Sequence, residues 1–597
     1  MINNERTYAI LEGGAQVSFK QYTTTSVSTD SFQFSTPPPS PSIIVNRKVY
    51  LSVPVRLTFN SVGAAPANLY RQNYDAPRAY PIASSISNIA VTLNNTTVSL
   101  NTSDVIQALL RYNTGVHLKN HDYSLTPNYP DQSQNYSDLT GSVRSPLGNY
   151  SSQSDECPAA RGSFPYTIVT NTPTQFVVDA VFTEEVYLPP FYWGCGNMGG
   201  YIGLQTLDWN INFLGASANR MWSHDPSNGG AAITSSSYQF NNFAGGFSYS
   251  QAVPTLLFEY ITPKELQTIP RSVCYPYFVI DRYPTDFSAL AAYGSPGSSA
   301  ILNSNNIQLN SIPRRMYIYA RANNTSLYAP AGSQLTDTYL AITNISVNWN
   351  NYSGLLSSAS QQQLYLMSIK NHCNMSWEQW SGGPVFNGDN QSVGTVGSIL
   401  CIEFGTDIGL MDQEAPGLLG TYQLQLNVTV QNMNTTQGIT PTLYIVTVSE
   451  GTFTIENNRS VSQIGVISKT DILTAKQHIS DYINYEDIQD IQGGNFLTGI
   501  KKFGKDIWGF LKPKIQAAYK FGKEALPYVN AALGVAKLVG LGGRRGGARV
   551  GGAYAGGSGG CQNCYGRGCI QCNKYGGAPV GGRMISRECL KDRLYQQ

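Results

Sequence analysis

The most chemically suggestive spacing in this chain is Cys561-x-x-Cys564-x4-Cys569-x-x-Cys572. Two C-x-x-C pairs set four thiolates where they can share one tetrahedral zinc ion. The four-residue gap is shorter than the usual ribbon loop, so redox-active or idle thiols remain readings of the same residues. Cys157, Cys195, Cys274, Cys373 and Cys401 are scattered without metal spacing and read as buried or idle thiols. Other catalytic patterns dissolve on inspection. Gly194-Cys195-Gly196-Asn197-Met198-Gly199 fits G-x-G-x-x-G, but no strand–turn–helix unit surrounds it and no acidic residue follows about 20 positions on. Gly556-Gly557-Ser558-Gly559-Gly560 fits G-x-S-x-G only inside glycine low-complexity sequence. His117 and His121 share a four-residue step but lack the glutamate of H-E-x-x-H. Glu184 and Glu185, adjacent on a strand, point to opposite faces and cannot act as a carboxylate pair. No active site emerges, and the chain reads as a non-enzyme.

The elements that would carry these residues are mostly strands. From Val49, the residues Val49, Leu51, Val53, Val55, Leu57 and Phe59 point one way while Tyr50, Ser52, Arg56 and Thr58 point the other. That is a half-buried strand of an antiparallel sheet, and Pro54 predicts an edge or a bulge. Further runs follow at Ile89–Leu93, Thr174–Leu188 and Leu207–Leu214, interrupted by a polar segment from Asn113 to Ser163 that reads as an external insertion. A second series starts at Thr255–Ile261 and continues through Tyr277–Arg282, Ile307–Leu309, Met316–Arg321, Tyr339–Trp349, Ile399–Phe404, Tyr422–Gln431 and Leu443–Val448. Helical signal is confined to pieces such as Ser358–Asn371. Two strand series with long Gly/Pro/Asn loops predict an all-β body of two tandem sandwiches or jelly rolls. The charged fraction is 13%, about half the usual ~25%. With 38 Tyr and many uncharged polar residues, the body suits extensive packed surfaces. Its N-terminus lacks the basic-then-apolar pattern of a signal peptide.

Several segments carry a resemblance. These are Asn3-Asn4-Glu5-Arg6-Thr7, the proline string leading into Val45-Asn46-Arg47-Lys48-Val49-Tyr50, and Ile312-Pro313-Arg314-Arg315-Met316-Tyr317-Ile318-Tyr319-Ala320-Arg321. Trp349-Asn350-Asn351 running into Gly354-Leu355-Leu356-Ser357, Gly420-Thr421-Tyr422-Gln423-Leu424-Gln425 and Leu443-Tyr444-Ile445-Val446 belong with them. Over most of residues 1–460 the chain resembles the double jelly-roll major capsid proteins of virophages and polinton-like viruses. The resemblance implies two jelly rolls side by side, homotrimers that look six-sided, and an icosahedral virion shell around double-stranded DNA. It also implies contacts with neighbouring capsomers and with penton and minor capsid proteins. The competing class is a β-rich spike or adhesin whose Tyr-rich loops bind carbohydrate or a receptor; a β-sandwich glycosidase is a third.

The chain changes character at Ile491-Gln492-Gly493-Gly494-Asn495. Residues 1–494 hold 22 Lys+Arg and 33 Asp+Glu, a net of −11; the remaining 103 hold 17 and 4, a net of +13. Ile491-x-Gly493-Gly494 matches the pattern cut by adenovirus-type cysteine maturation proteases, with cleavage expected between Gly494 and Asn495. An apolar side chain can fill a pocket while two glycines let extended backbone enter a narrow cleft. A related form occurs at Leu538-Val539-Gly540-Leu541. Beyond the junction, Leu497, Ile500, Phe503, Ile507, Phe510, Leu511 and Ile515 recur at helical steps, with Trp508 alongside and Lys501, Lys502, Lys505 and Lys512 mostly elsewhere on the wheel. Such a basic amphipathic helix can pack on its own capsomer, on neighbouring subunits or on a membrane. Residues 541–582 contain 16 glycines, and the arginines among them could neutralise DNA phosphates or meet the acidic body. The expected organisation is a first jelly roll over 1–250, a second over 251–460, an arm and junction over 461–494, a basic helical segment over 495–540 and a Gly/Arg-rich tail over 541–597.

Overall fold

Strand alternation governs what is seen between residues 16 and 465. The computed structural model describes that span except for 38–39, 41–42, 63–67, 71–74, 113–165, 192–199, 225–230, 264–271, 331, 333–334, 387–391, 412–413, 436 and 457–458. Several sequence expectations fall outside the described residues: the junction Ile491, Gly493, Gly494 and Asn495; the helical face Ile500, Phe503, Ile507, Trp508 and Leu511; and Cys561, Cys564, Cys569 and Cys572. So do His117, His121, Cys157, Gly194–Gly199 and the polar insertion 113–163.

The first eight main strands are β1 (Gln16–Thr23), β2 (Ser31–Thr36), β3 (Ile44–Asn60), β4 (Ile86–Leu93), β5 (Thr96–Leu100), β6 (Gln175–Glu185), β7 (Leu207–Phe213) and β8 (Thr255–Thr262). They form two antiparallel sheets ordered β1-β8-β3-β6 and β2-β7-β4-β5. The next eight are β9 (Ser272–Asp286), β10 (Ser299–Asn303, continued by Ile307–Ser311), β11 (Arg315–Ala322), β12 (Ala341–Trp349), β13 (Tyr352–Leu355), β14 (Leu400–Glu403), β15 (Leu419–Gln431) and β16 (Pro441–Glu456). Their orders, β9-β16-β11-β14 and β10-β15-β12-β13, repeat the same permutation. Each set is a jelly roll: the eighth strand lies between the first and third, the seventh between the second and fourth.

This permutation moves one boundary. The strand Thr255–Ile261, expected to open the second series after a first unit ending at residue 250, is β8 and closes the first roll. It pairs with β1 from Thr23↔Thr255 to Gln16↔Thr262 and with β3 on its other side. Local periodicity cannot assign such a strand, because its partners lie about 200 residues earlier in the chain.

β3 departs from expectation in two further ways. Its predicted inner face is buried, each residue from Val49 to Phe59 on that face being 2% exposed or less. The outer face is covered too, since Ser52 and Arg56 are also buried. The cover is the segment 244–251. Arg56 donates to the carbonyls of Ala244 (2.6 Å) and Gly246 (2.7 Å), and its Nε and Nη2 grip Asp179 at 2.6 and 2.8 Å. Asp179, directly across the ladder on β6, also accepts from the Ser248 amide and hydroxyl. Burial pushes the Asp179 carboxyl up, but the hydrogen bonds from Arg56 and Ser248 outweigh it and hold it below the usual range. Pro54 sits in a central strand, not at an edge, and the pairing explains how. On one flank β8 reaches only as far as Ser52 and Ser235–Gln239 begins only at Arg56. Pro54 occupies the gap between these two partners, where a missing N–H breaks no ladder bond.

The second roll shows the plainer pattern. Tyr422, Leu424, Leu426, Val428 and Val430 of β15 are buried while their neighbours face outward. Trp349 stacks on Tyr422 at 5.4 Å and packs on Phe404 at 4.7 Å. β9 pairs along all 15 of its residues with β16 and, among the described residues, with nothing on its other side. Pro276 and Pro284 lie eight positions apart, so both lack the N–H on the same edge.

Removing one partner of a buried, hydrogen-bonded ion pair strands the other charge. Asp179→Ala should therefore lower unfolding free energy by about 3–5 kcal/mol, read as a fall in the denaturant midpoint. An unchanged midpoint would show that the covering segment, not the ion pair, holds this face.

Candidate functional site

With no catalytic constellation among the described residues, the place where chemistry concentrates is the seam between the two rolls. It starts from the helix Thr102–Leu109. Asn101-Thr102-Ser103-Asp104 ahead of Val105 and Ile106 is a helix-start pattern, and an acidic residue in the first turn meets unpaired N–H groups and the positive end of the helix dipole. All eight helical residues are buried.

Asp104 reaches from this helix into the second roll. One carboxylate oxygen accepts from Arg321 Nη2 at 2.9 Å, the Tyr444 hydroxyl at 3.3 Å and Asn324 Nδ2 at 3.4 Å. The other meets Arg282 Nη1 at 2.8 Å. The Asp104 backbone carbonyl accepts the Tyr319 hydroxyl at 2.6 Å. Arg282, Tyr319, Arg321 and Tyr444 stand on β9, β11 and β16, three adjacent strands, so a single side chain fixes the helix against that sheet. The Arg321 guanidinium lies 5.0 Å over the Tyr444 ring, which itself stacks on Tyr319.

A reciprocal contact runs the other way. Asp337 of the second roll takes Arg220 of the first at 2.5 Å and Arg321 at 3.7 Å. Burial pushes the Asp337 carboxyl up, but Arg220, Arg78 and Arg321 together bring it below the usual range. Arg78 donates to the carbonyls of Asn219, Gly332 and Leu335, and Asn219 donates to the Tyr328 carbonyl at 2.8 Å. Arg78 and Arg220 are fully buried. Away from this centre, Tyr112 donates to the Ile399 carbonyl, Tyr275 to the Gly200 carbonyl, and Thr96 to the Ser460 carbonyl. The seam thus joins the rolls along several points.

Glu184 and Glu185 do face opposite ways: Glu184 lies across from buried Leu51, and Glu185 across from Tyr50. Their separation makes Glu184 structural. Its carboxylate accepts from the amides of Ile82 and Ala83 at 2.8 Å each, capping the turn Ala83–Ser85. Tyr328 of the second roll donates to the carbonyl of Ser84 in that turn. Burial raises Glu184 to about 7, against the two amide bonds that favour ionisation. Glu185 is likewise raised to about 7 by burial, with Lys48 opposing.

No group of three or more His, Cys, Asp or Glu side chains is placed to hold a metal among the described residues. Cys373 and Cys401 are buried and Cys274 partly so, all as free thiols. The seam residues are not picked out by any local motif. The available signal was an arginine at the end of an apolar run, as at Arg321 after Met316–Ala320, which calls for a carboxylate where the strand is buried.

Two rolls of identical strand order, joined by a buried charged seam, define a double jelly-roll protein of the kind that builds viral shells. Residues 1–260 match the family described as Sputnik virophage major capsid protein first domain, and residues 280–451 match the major capsid protein V20 C-terminal domain. The capsid protein V20 of Sputnik virophage is 35% identical over 610 residues, covering 99% of this chain and 96% of the relative. The cryo-EM structure of Sputnik virophage superposes with a TM-score of 0.70 at 34% identity, over 82% of this chain and 96% of that one. The mavirus major capsid protein shares the fold at 16% identity, with a TM-score of 0.60 over 76% and 92% of the two chains. The chain belongs to the virophage major capsid protein family.

Asp104→Ala would leave Arg282 and Arg321 without their shared carboxylate, at an expected cost of about 3–5 kcal/mol in denaturant unfolding. Asp104→Glu should recover part of that loss; equal loss in both variants would point to packing instead of charge. A second expectation concerns pH. Glu184 holds its proton more tightly folded than unfolded, so its stabilisation is complete below about 4.5 and is lost as pH rises through about 7. That loss amounts to about 3 kcal/mol. The melting temperature should fall between pH 5 and 8, and Glu184→Gln should flatten the fall, leaving the part due to Glu185. An identical slope in the variant would remove Glu184 from the account.

Proposed function

We propose that this chain is the precursor of a virion shell subunit. Three copies form a six-sided capsomer, and capsomers tile an icosahedral shell around double-stranded DNA. The observation that carries this reading is the duplicated strand order: two equivalent rolls per chain give a trimer six similar corners, a shape that tiles a surface with near-hexagonal symmetry. Its family supports the same assignment. The partners of the assembled subunit are further capsomers and the penton and minor capsid proteins that close the shell.

The tail is part of the proposal. An acidic body of net −11 and a basic tail of net +13 meet at Ile491-x-Gly493-Gly494. A cysteine protease of the adenovirus type cuts after Gly494, so that shell and tail stay matched one to one during assembly and separate afterwards.

Electron microscopy of the purified full-length protein should show pseudo-hexagonal trimers, and terminal mass spectrometry of mature particles should show a shell protein ending at Gly494. Monomers that never form trimers would defeat the capsomer assignment. Full-length chain in mature particles would defeat the cleavage alone.

A further inference from the structure

Three buried arginines of the body, Arg56, Arg220 and Arg321, each meet a carboxylate at 2.9 Å or less. Arg47 is different. It is 5% exposed, and among the described residues no carboxylate lies at ion-pairing distance from it. It stands on the inner face of β3, in the row Val45, Arg47, Val49, Leu51, where every other member is apolar and buried. The acids that pair near it are engaged on the other face of the sheet. Glu259 accepts from Asn46 Nδ2 at 2.9 Å, and Glu185 is opposed by Lys48. The eight residues between Phe191 and Gly200, Tyr192-Trp193-Gly194-Cys195-Gly196-Asn197-Met198-Gly199, include neither Asp nor Glu. A guanidinium keeps its proton in proteins, so burial cannot neutralise this one.

The protein satisfies part of Arg47. Its Nε and Nη2 both donate to the Pro190 carbonyl, the former at 2.8 Å. Its Cζ lies 5.9 Å from the ring centroid of Tyr201 and 5.7 Å from that of Tyr275, and those rings meet edge to face at 5.0 Å. The ring faces attract a cation but carry no net charge. Two donors are left over: Arg47 Nη1 and the Tyr201 hydroxyl are enclosed and find no partner in the protein. They belong to one contact. Burial pushes the Tyr201 phenol up, and Arg47 opposes that rise both as a charge and as a hydrogen-bond donor. The frame around them is closely held. The Tyr201 amide donates to the Val45 carbonyl at 2.6 Å and the Val45 amide to the Tyr201 carbonyl at 2.8 Å. A Cβ on Gly200 would lie 2.4 Å from the Val45 carbonyl oxygen, and Tyr275 of the second roll donates to the Gly200 carbonyl at 2.8 Å.

We infer that Arg47 Nη1 and the Tyr201 hydroxyl bind a small monovalent inorganic anion of the halide class, chloride in a cell. One enclosed positive charge calls for one negative charge. A phosphate or sulfate dianion would exchange an unpaired cation for an unpaired anion in the same enclosed place. A halide accepts from N–H and O–H donors in any direction, so two side chains suffice to hold it. Arg47 stands on β3, Tyr201 on the connection between β6 and β7, and Tyr275 on β9, the first strand of the second roll. An anion bound among them neutralises the guanidinium where these three elements meet, and so adds to the hold between the rolls.

The test measures the melting temperature of the full-length protein in potassium chloride, bromide and gluconate at equal ionic strength. Chloride and bromide should give a saturable rise of roughly 2–4 °C over gluconate. Tyr201→Phe keeps the ring and removes only the hydroxyl, and it should weaken the apparent chloride affinity several-fold. Arg47→Met removes the charge that needs the anion, and it should abolish the response. Should Arg47→Met fail to fold, the Tyr201→Phe titration decides alone. A wild-type melting temperature indifferent to chloride overturns the inference, and so does a rise of the same size and midpoint in Tyr201→Phe, which is a general salt effect. Crystals of the full-length protein grown in bromide give the direct view: an anomalous peak in contact with Arg47 Nη1 and the Tyr201 hydroxyl supports the site. An ordered water there, or a carboxylate of the chain itself, overturns it. A bromide peak without any response in solution is binding at crystal concentration only and overturns it as well.

Discussion

A carboxyl enclosed by protein either keeps its proton, as Glu184 does, or finds a countercharge within a few ångströms, and Asp104 finds two, on strands of the other roll. This requirement fixes the arrangement more tightly than apolar contact can. Valine and leucine faces tolerate sliding, since one hydrocarbon contact resembles another. A carboxylate paired to arginines on β9 and β11 and bonded to a tyrosine on β16 does not: a shift of one residue along β9 or β11 would leave an arginine without its partner. The reciprocal pair of Arg220 with Asp337 constrains the opposite direction. Together they convert two separately plausible domains into one body with a defined relative orientation.

The strands were largely legible because burial on one face of a sheet imposes period two, as at Val49–Phe59 and Tyr422–Val430. The helix Thr102–Leu109 was not, because its eight residues are too short a window to set a helical period apart from the strands on either side, although Asn101–Asp104 makes a helix start. The ownership of β8 was hidden for a topological reason: chain order says nothing about which earlier strands a late one will join. Pro54 was read as marking an edge or a bulge, and the structure places it in a central strand instead, since such a strand can change partners on one flank. The seam was invisible because its bonds join residues 117 and 217 positions apart, and no local pattern encodes such distances. The segments resembling viral capsid proteins pointed to the family through residues that mostly lie in strands and turns, which is why they spoke to fold and not to the seam.

The low charge content acquires a meaning from where the charges are. Arg56, Arg78, Arg220 and Arg321, with Asp104, Asp179 and Asp337, are all buried. Part of the body's ionic groups is therefore internal, and the outer surface carries asparagine, serine and threonine beside the charges that remain. Such a surface can lose water on contact with another subunit at lower cost than one studded with lysine and glutamate. It is also less sensitive to salt, because screening acts on exposed charges and hardly reaches enclosed ones.

The two prolines on the edge of β9 that has no partner among the described residues bear on how copies of the protein coexist at close quarters. A long bare strand is a template on which a neighbour's backbone can extend the sheet, a form of growth that has no natural end and is hard to reverse. Pro276 and Pro284 remove donors from that edge at two points along its length. Crowded subunits are thereby discouraged from zipping together through their main chains, and recognition is left to side chains, whose shape can specify where one copy stops and the next begins.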